Sequence, residues 1–209
     1  MRAIIVGGGD CPKKSLIEKY MISDYIILAA DSGADILCQY DITPDYLLGD
    51  FDSINEVNLK RLIDNTNTTR LPVEKDYTDT HVAVLKAMEL GANEIILLGC
   101  TGKRIDHFMA NLCVLKLGID EGISIYMVDD YNEIFLINKS TCINGRKGQT
   151  FSLFSYCEDT VDLTIRGAKY GLENFYLKQG NNLTVSNEFV NETVDISFSK
   201  GLLLVFKIN

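Results

Sequence analysis

No apolar run in this chain approaches the roughly 18 residues that a membrane-spanning helix requires. The opening segment MRAIIVGGGD has too short an apolar stretch for a secretory signal and reads as a first strand and turn, so a cytoplasmic protein is expected. The six cysteines (Cys11, Cys38, Cys100, Cys113, Cys142, Cys157) form no C-x-x-C pair. That spacing argues against a zinc site or a disulfide framework and predicts buried, reduced thiols. Without secretion the sequon Asn182-Leu183-Thr184 carries no weight. No G-x-x-x-x-G-K-[ST] loop is present, and Gly7-Gly8-Gly9 does not extend to G-x-G-x-x-G because Pro12 holds the last position. A P-loop kinase and a standard dinucleotide dehydrogenase are thereby disfavoured. A G-x-S-x-G nucleophile elbow is missing too, as are internal repeats and low-complexity segments.

What is there is a globular composition, 46% hydrophobic and 23% charged over 209 residues, enough for one large domain or two small ones. Charge is unevenly placed. Residues 1–130 hold 21 acidic against 12 basic side chains, whereas residues 131–209 hold 8 of each, so the formal charge of −9 sits entirely in the first part. Such a surface repels nucleic-acid phosphates, and an anionic nucleotide would need Mg²⁺ to enter.

Texture divides the chain at the same place. Up to residue 130, short β-branched or Leu-rich runs (Ala3–Val6, Tyr25–Ala29, Tyr46–Leu48, Arg70–Val73, Glu94–Leu98, Ile123–Val128) read as strands buried on both faces. Helical periods separate them. Thr80–Leu90 ends at Gly91, and Asp106–Leu117 ends at Gly118. This alternation predicts an α/β domain, residues 1–130, built on a Rossmann-like parallel sheet with helices. From residue 131 onward the runs Glu133–Asn138, Thr150–Ser155, Thr160–Arg166, Leu183–Val185, Thr193–Phe198 and Leu202–Ile208 lie between turn-formers such as Asn144-Gly145 and Lys200-Gly201. Residues 131–209 are therefore expected to form an all-β sandwich or small barrel.

In a parallel sheet the carboxyl ends of all strands share one edge, where open α/β folds bind ligands. Polar residues gather at those ends: Asp10 after the first strand, Asp31 after the second, Asp50 and Asp52 after the third. Lys75, Asp76 and Asp79 follow the fourth, and Gly99, Thr101, Gly102 and Arg104 the fifth. An isolated Asp at a helix start is ordinarily an N-cap, but five consecutive strand ends sharing the habit point to a site. On extended backbone Asp50 and Asp52 would face one way and Phe51 the core. Paired carboxylates of this kind suit Mg²⁺, which takes one or two acids plus waters and phosphate oxygens. Thr78 is the expected cap of the next helix, with Asp79 in its first turn at the positive end. Arg104 and the helix start after Gly102 offer an anion site, with Asp106 as the expected cap and His107 within reach of a nucleotide.

Together these segments resemble the thiamine pyrophosphokinase family. The matching pieces are Asp31-Ser32-Gly33-Ala34, Thr43-Pro44-Asp45 with Gly49-Asp50-Phe51-Asp52-Ser53, Lys75-Asp76-x-Thr78-Asp79 and Gly102-x-Arg104-x-Asp106-His107. In the second part, Gly167-Ala168-Lys169-Tyr170-Gly171-Leu172 and Ser186-Asn187-Glu188 resemble the bacterial thiamin-binding domain. The resemblance implies a Mg²⁺-dependent homodimer that transfers diphosphate from ATP to the hydroxyethyl oxygen of thiamine, with its active site between subunits. It implies metal ligation by Asp50, Asp52 and Asp79, which with Arg104 carry the catalysis. Nucleotide contacts would come from Asp31, Lys75, Asp76, Thr101, Arg104 and His107, and thiamine contacts from Ser186, Asn187 and Phe189, the last by ring stacking. Lys75 stands where the family often has Gln, and Thr101 where many relatives have a second glycine. Rival readings are a diphosphokinase of another alcohol, such as a pterin, and a non-catalytic thiamin or nucleotide sensor.

Overall fold

The strand Arg2–Val6 (β1) pairs on both sides, with Tyr25–Ala30 (β2) and with Glu94–Leu98 (β5), and both partners run parallel to it. A computed structural model of the chain describes residues 1–22, 24–72 and 76–209. They form two compact units, Met1–Asp130 and Tyr131–Asn209. In the first, strands alternate with helices: α1 (Lys14–Tyr20), α2 (Gly33–Gln39), β3 (Tyr46–Gly49), α3 (Glu56–Ile63), β4 (Asn67–Arg70), α4 (Asp79–Glu89), α5 (Ile105–Glu121) and β6 (Ser124–Val128) complete it. The parallel sheet has the order β6-β5-β1-β2-β3-β4.

Both faces of this sheet are covered, which explains the unbroken apolar runs. Ile4, Val6, Ile27, Ala29, Leu47, Ile96 and Leu98 share a core with Ile17 of α1, Leu37 of α2 and Leu62 of α3. The alternate residues Ala3, Ile5, Leu28, Ile95 and Leu97 are equally buried, on the face where α4 lies against β1, β2 and β3. β4 departs from the expectation. It occupies Asn67–Arg70 rather than Arg70–Val73, whose last residue lies outside the described ones, and all four of its residues are exposed. An edge strand needs only backbone pairing, here with β3, so its polar side chains gave no periodic signal. α5 also exceeds its expected end. Gly118 lies inside the helix, where a side chain would meet the Ile123 carbonyl at 2.5 Å, and the left-handed terminator is Gly122. Among the described residues no helix is long and apolar enough to cross a membrane.

The second unit is a two-layer antiparallel arrangement of β7 (Asn132–Ile137), β8 (Thr141–Asn144), β9 (Thr150–Ser155), β10 (Thr160–Arg166), β11 (Leu172–Leu177), β12 (Asn187–Glu188), β13 (Thr193–Ser197) and β14 (Leu203–Ile208). One layer runs β12-β9-β14-β7 and the other β11-β10-β13-β8. Inward residues alternate along the strands and meet between the layers: Phe151, Leu153, Leu203 and Val205 from one, Leu163, Ile165, Val194 and Ile196 from the other. The expected strand Leu183–Val185 is a turn, tied through Thr184 to Leu153 by a backbone bond of 3.0 Å and a hydroxyl bond of 2.6 Å. Strands β8 and β11 carry little periodic signal: β8 buries only Ile143, and β11 pairs with β10 through register shifts that break its alternation.

Phe189 is wholly buried in this core, edge-to-face with Phe151 at 5.1 Å. Replacing Phe189 with Ala should destabilise the fold by about 3–5 kcal/mol, read as a lower urea midpoint; an unchanged midpoint would remove Phe189 from the core.

Candidate active site

The site begins with two backbone loops locked together. After β1 the amides of Gly7, Gly9 and Asp10 donate to the carbonyls of Leu98, Gly99 and Thr101, at 2.8, 2.7 and 2.7 Å. A side chain on Gly9 would lie 2.0 Å from the Thr101 carbonyl, and Gly99 has φ +60° with the Gly7 carbonyl 2.4 Å from where its Cβ would stand. Only glycine permits this approach. The loops wall a cavity of about 460 Å³ whose lining also includes Asp31, Ser53, Thr78 to Thr80, Arg104, His107 and Asn111.

The acids come from the ends of β2 and β3. Asp31 takes a left-handed backbone, φ +48°, immediately after β2, and its amide donates to Leu48 of β3 at 2.8 Å. The extended geometry expected for Asp50 and Asp52 is not what places them. Phe51 is left-handed, φ +68°, with its ring buried, and the Asp52 amide folds back onto Asp50 Oδ1 at 3.1 Å. This tight turn still puts both carboxylates on one side. With Asp31 they form a group in which one carboxylate oxygen from each residue lies within 4.8 Å of the other two.

Three acids so close repel, and Asp52 shows it. The neighbouring Asp50 charge, then desolvation, the Asp50 hydrogen bond, and the charges of Asp31 and Asp79 raise its pKa above the ordinary carboxylate value. Ser53 Oγ donates to Asp31 Oδ2, while Asp31 Oδ1 is buried without a hydrogen-bond partner. Hard oxygen donors gathered at one point, one carrying an unmatched buried lone pair, fit a divalent cation such as Mg²⁺. Asp79, grouped with Asp50 and Asp52 on sequence grounds, stands in the first turn of α4 and lines the cavity, while Asp31 joins Asp50 and Asp52 in the carboxylate group.

Arg104 occupies the N-cap position of α5, and its guanidinium grips Asp106 at 3.0 and 2.5 Å. Asp106 is therefore not the cap; it lies in the first turn, and Arg104 drives its pKa far below the usual carboxylate range. Thr78 does cap α4, accepting from the His81 amide at 3.3 Å. Thr101 lines the cavity and lends its carbonyl to the loop lock, His107 lines the cavity as an exposed side chain, and Asp76 is exposed in a bend outside the lining. Lys75 lies outside the described residues. Of the cysteines, Cys11, Cys113, Cys142 and Cys157 are exposed, contrary to the expected burial, and burial holds for Cys38 and Cys100, the latter pushed up to about 12.

In the second unit Ser186 is left-handed, φ +58°, and its amide donates to Ser152 Oγ at 3.0 Å. Asn187 is a buried clamp: Oδ1 accepts from the amides of Tyr170 and Glu188 at 3.0 and 2.9 Å, and Nδ2 donates to the Tyr170 carbonyl at 2.8 Å. The stacking expected of Phe189 is not found, since its ring has no exposed face. The surface beside them is instead a cavity of about 290 Å³ lined by Tyr170, Leu172, Leu183, Thr184, Val185 and Asn187. Tyr170, inside the Gly167–Leu172 motif, is not among the expected thiamine contacts; a large aromatic among turn-forming glycines is the sequence signal for it.

An acid with a raised pKa binds its proton more tightly when folded. Its contribution to stability is greatest below the unfolded pKa and is lost as pH rises through the folded value. In chelating buffer, carboxyl NMR should show Asp52 titrating above 3.8, and Asp50→Asn should bring it down; an unmoved titration would contradict the proximity of the two acids.

Residues 17–127 match the family described as thiamin pyrophosphokinase, catalytic domain, and residues 137–203 match thiamin pyrophosphokinase, vitamin B1 binding domain. Over 208 residues the chain is 31% identical to the thiamine pyrophosphokinase of Bacillus subtilis, covering 97% of this chain and 96% of that one. It is 25% identical to thiamin pyrophosphokinase 1 of Caenorhabditis elegans over 79% of this chain and 70% of the relative. The crystal structure of the Bacillus subtilis enzyme superposes with a TM-score of 0.92 at 30% identity, covering 100% of this chain and 99% of that one. That of the Geobacillus thermodenitrificans enzyme gives 0.88 at 29%, covering 100% and 98%. The chain belongs to the thiamine pyrophosphokinase family.

Proposed function

We propose that this protein makes thiamine diphosphate from ATP and thiamine, with the first unit holding Mg²⁺–ATP and the second binding the vitamin. The observation that carries the reading is the trio Asp31, Asp50 and Asp52 beside a glycine-walled cavity. The strand order β6-β5-β1-β2-β3-β4 supports a Rossmann-like nucleotide-binding unit, because its connections reverse direction beside β1, where the glycine loops meet.

In the reaction the hydroxyethyl oxygen of thiamine attacks the β-phosphorus of ATP. The bond from that phosphorus to the oxygen bridging the α-phosphate breaks, AMP leaves, and the hydroxyl proton passes to solvent or a nearby carboxylate. Mg²⁺ held by Asp31, Asp50 and Asp52 would neutralise phosphoryl oxygens. The protein's own part is positional. The close backbone of Gly8, Gly9 and Gly102 leaves room for the nucleotide against the loops, and Arg104 at the start of α5 offers a guanidinium that Asp106 holds at the cavity wall. Asp79 adds negative field near the acid trio and is assigned to the same metal-binding side, with Thr101 and His107 lining the nucleotide's path. Asp76, exposed in a bend, is assigned to its rim, and Lys75, outside the described residues, keeps the nucleotide contact that the family resemblance implies.

For the vitamin, Ser186 and Asn187 are assigned as contacts; Asn187 lines the second-unit cavity, where Tyr170, Leu183 and Val185 present apolar surface to an aromatic heterocycle. The negative charge of the first unit favours a cationic thiazolium. The working form is proposed to be a homodimer in which one subunit brings thiamine to its partner's nucleotide. Six free thiols support a reducing compartment, the cytoplasm.

With ATP, Mg²⁺ and thiamine, chromatography should show equal AMP and thiamine diphosphate, and a chelator should stop both. Asp50→Asn and Asp52→Asn should each lower kcat by about 10²–10³-fold in folded protein. Product only with a different alcohol, or near-normal rates in both variants, would defeat the proposal.

A further inference from the structure

Two buried asparagines clamp backbone in this protein, and they differ in one respect. Asn187 spends both ends of its amide on the protein. Asn111, on α5, is only 7% exposed and spends one: Nδ2 donates to the Cys100 carbonyl at 2.8 Å. That bond settles the orientation of the amide, since a carbonyl accepts only from the nitrogen end. Oδ1 then faces away from Cys100 and meets no donor among the described residues, yet it is not one of the sealed, partnerless atoms. The cavity that Asn111 lines is its outlet. A fixed acceptor, nine-tenths buried and open only to a ligand cavity, is matched to a donor on the ligand.

Resting on the ATP reading above, we propose that Asn111 Oδ1 accepts a hydrogen bond from the nucleoside half of the bound nucleotide, from a ribose hydroxyl or the base's exocyclic amine. Phosphate oxygens are ionised acceptors and would be repelled, so they lie elsewhere. The acid trio marks that place at the ends of β2 and β3. In the order β2-β1-β5, the β5 end above Asn111 is two strands away, about 10 Å at the usual ~4.8 Å spacing. Phe108, one turn earlier on α5, lines the same cavity and gives this end an aromatic face. Asn111 thus both fixes the loop at Cys100 and reads the nucleoside. Nothing in the linear pattern marked it, because one asparagine on an apolar helix stripe reads as packing.

The test compares four nucleotides with the whole protein in Mg²⁺ buffer, thiamine left out: ATP, 2′-deoxy-ATP, 3′-deoxy-ATP and ITP, which has an oxygen in place of the amine. By calorimetry one analogue should bind roughly tenfold more weakly than ATP, and its identity names the donor. Asn111→Ala should bind that analogue and ATP within twofold of each other. In the unmutated protein the Asn111 side-chain amide NMR signal should shift with ATP and stay still with the discriminated analogue, a readout that does not depend on the variant folding. Equal binding of all four nucleotides, a preference that survives Asn111→Ala, or an amide signal unmoved by ATP would each overturn the role of Asn111. If ATP is bound and converted to AMP in those cases, the ATP reading stands alone; no ATP binding at all overturns both.

Discussion

Three carboxylates, with one oxygen of each held within 4.8 Å of the other two, are the constraint that organises the first unit. Left to themselves they would separate, so the chain must hold them, and it does so through the sheet. Asp31 is pinned by its amide to Leu48, and Leu48 is paired with Ala30 in the β2–β3 register. Phe51, between the other two acids, is anchored by a buried ring in the core shared by α1, α2 and β1. Spreading the acids would require unpairing β2 from β3 or pulling an aromatic ring into water, each a larger cost than the repulsion. Left-handed φ at Asp31 and Phe51 is local strain of the kind functional sites retain when the surroundings over-determine it.

The same logic applies to the loops after β1 and β5. Their three backbone bonds use donors and acceptors that would otherwise need water. Glycine at Gly9 and Gly99 lets the chains come close enough for the cavity to have a smooth wall. Arg104 belongs to this rigidity too, since Asp106 holds a flexible cation in a defined place. The pair is exposed and adds little to stability; its value is in orientation.

The second unit achieves order by polar satisfaction around an apolar centre. Asn187 ties the Tyr170 segment to β12, and Thr184 ties the 183–185 turn to β9. Those two ties set the walls of the 290 Å³ cavity, and the aromatic residue at its mouth is Tyr170, whereas Phe189 serves the core behind it. A motif that names a neighbourhood therefore assigns its side chains poorly. Ser186, Asn187 and Phe189 lie within four residues of chain, yet one is a strained surface residue, one a clamp and one a core ring.

Much of the molecule was legible from residue order alone. Buried strands such as Glu94–Leu98, Thr150–Ser155 and Thr160–Arg166 were found at their true bounds, because burial on one or both faces imposes a period that no other state shares. The acids after β2 and β3 and the change of texture near residue 130 were visible for the same reason: each follows from local composition and spacing. Segments whose state depends on a partner were not visible. The exposed edge strand β4 exists through pairing with β3, and the glycine at 118 serves close packing against Ile123 and Ile125 rather than ending α5. By itself the sequence determined the alternating layers, the two-part division and which strand ends carry acid. Tertiary structure decided that Asp31 joins Asp50 and Asp52, that Asp106 serves Arg104, and that the Asn111 amide nitrogen ties the Cys100 carbonyl. The first joins residues distant in the chain and the other two turn on side-chain conformation, and a one-dimensional pattern holds neither.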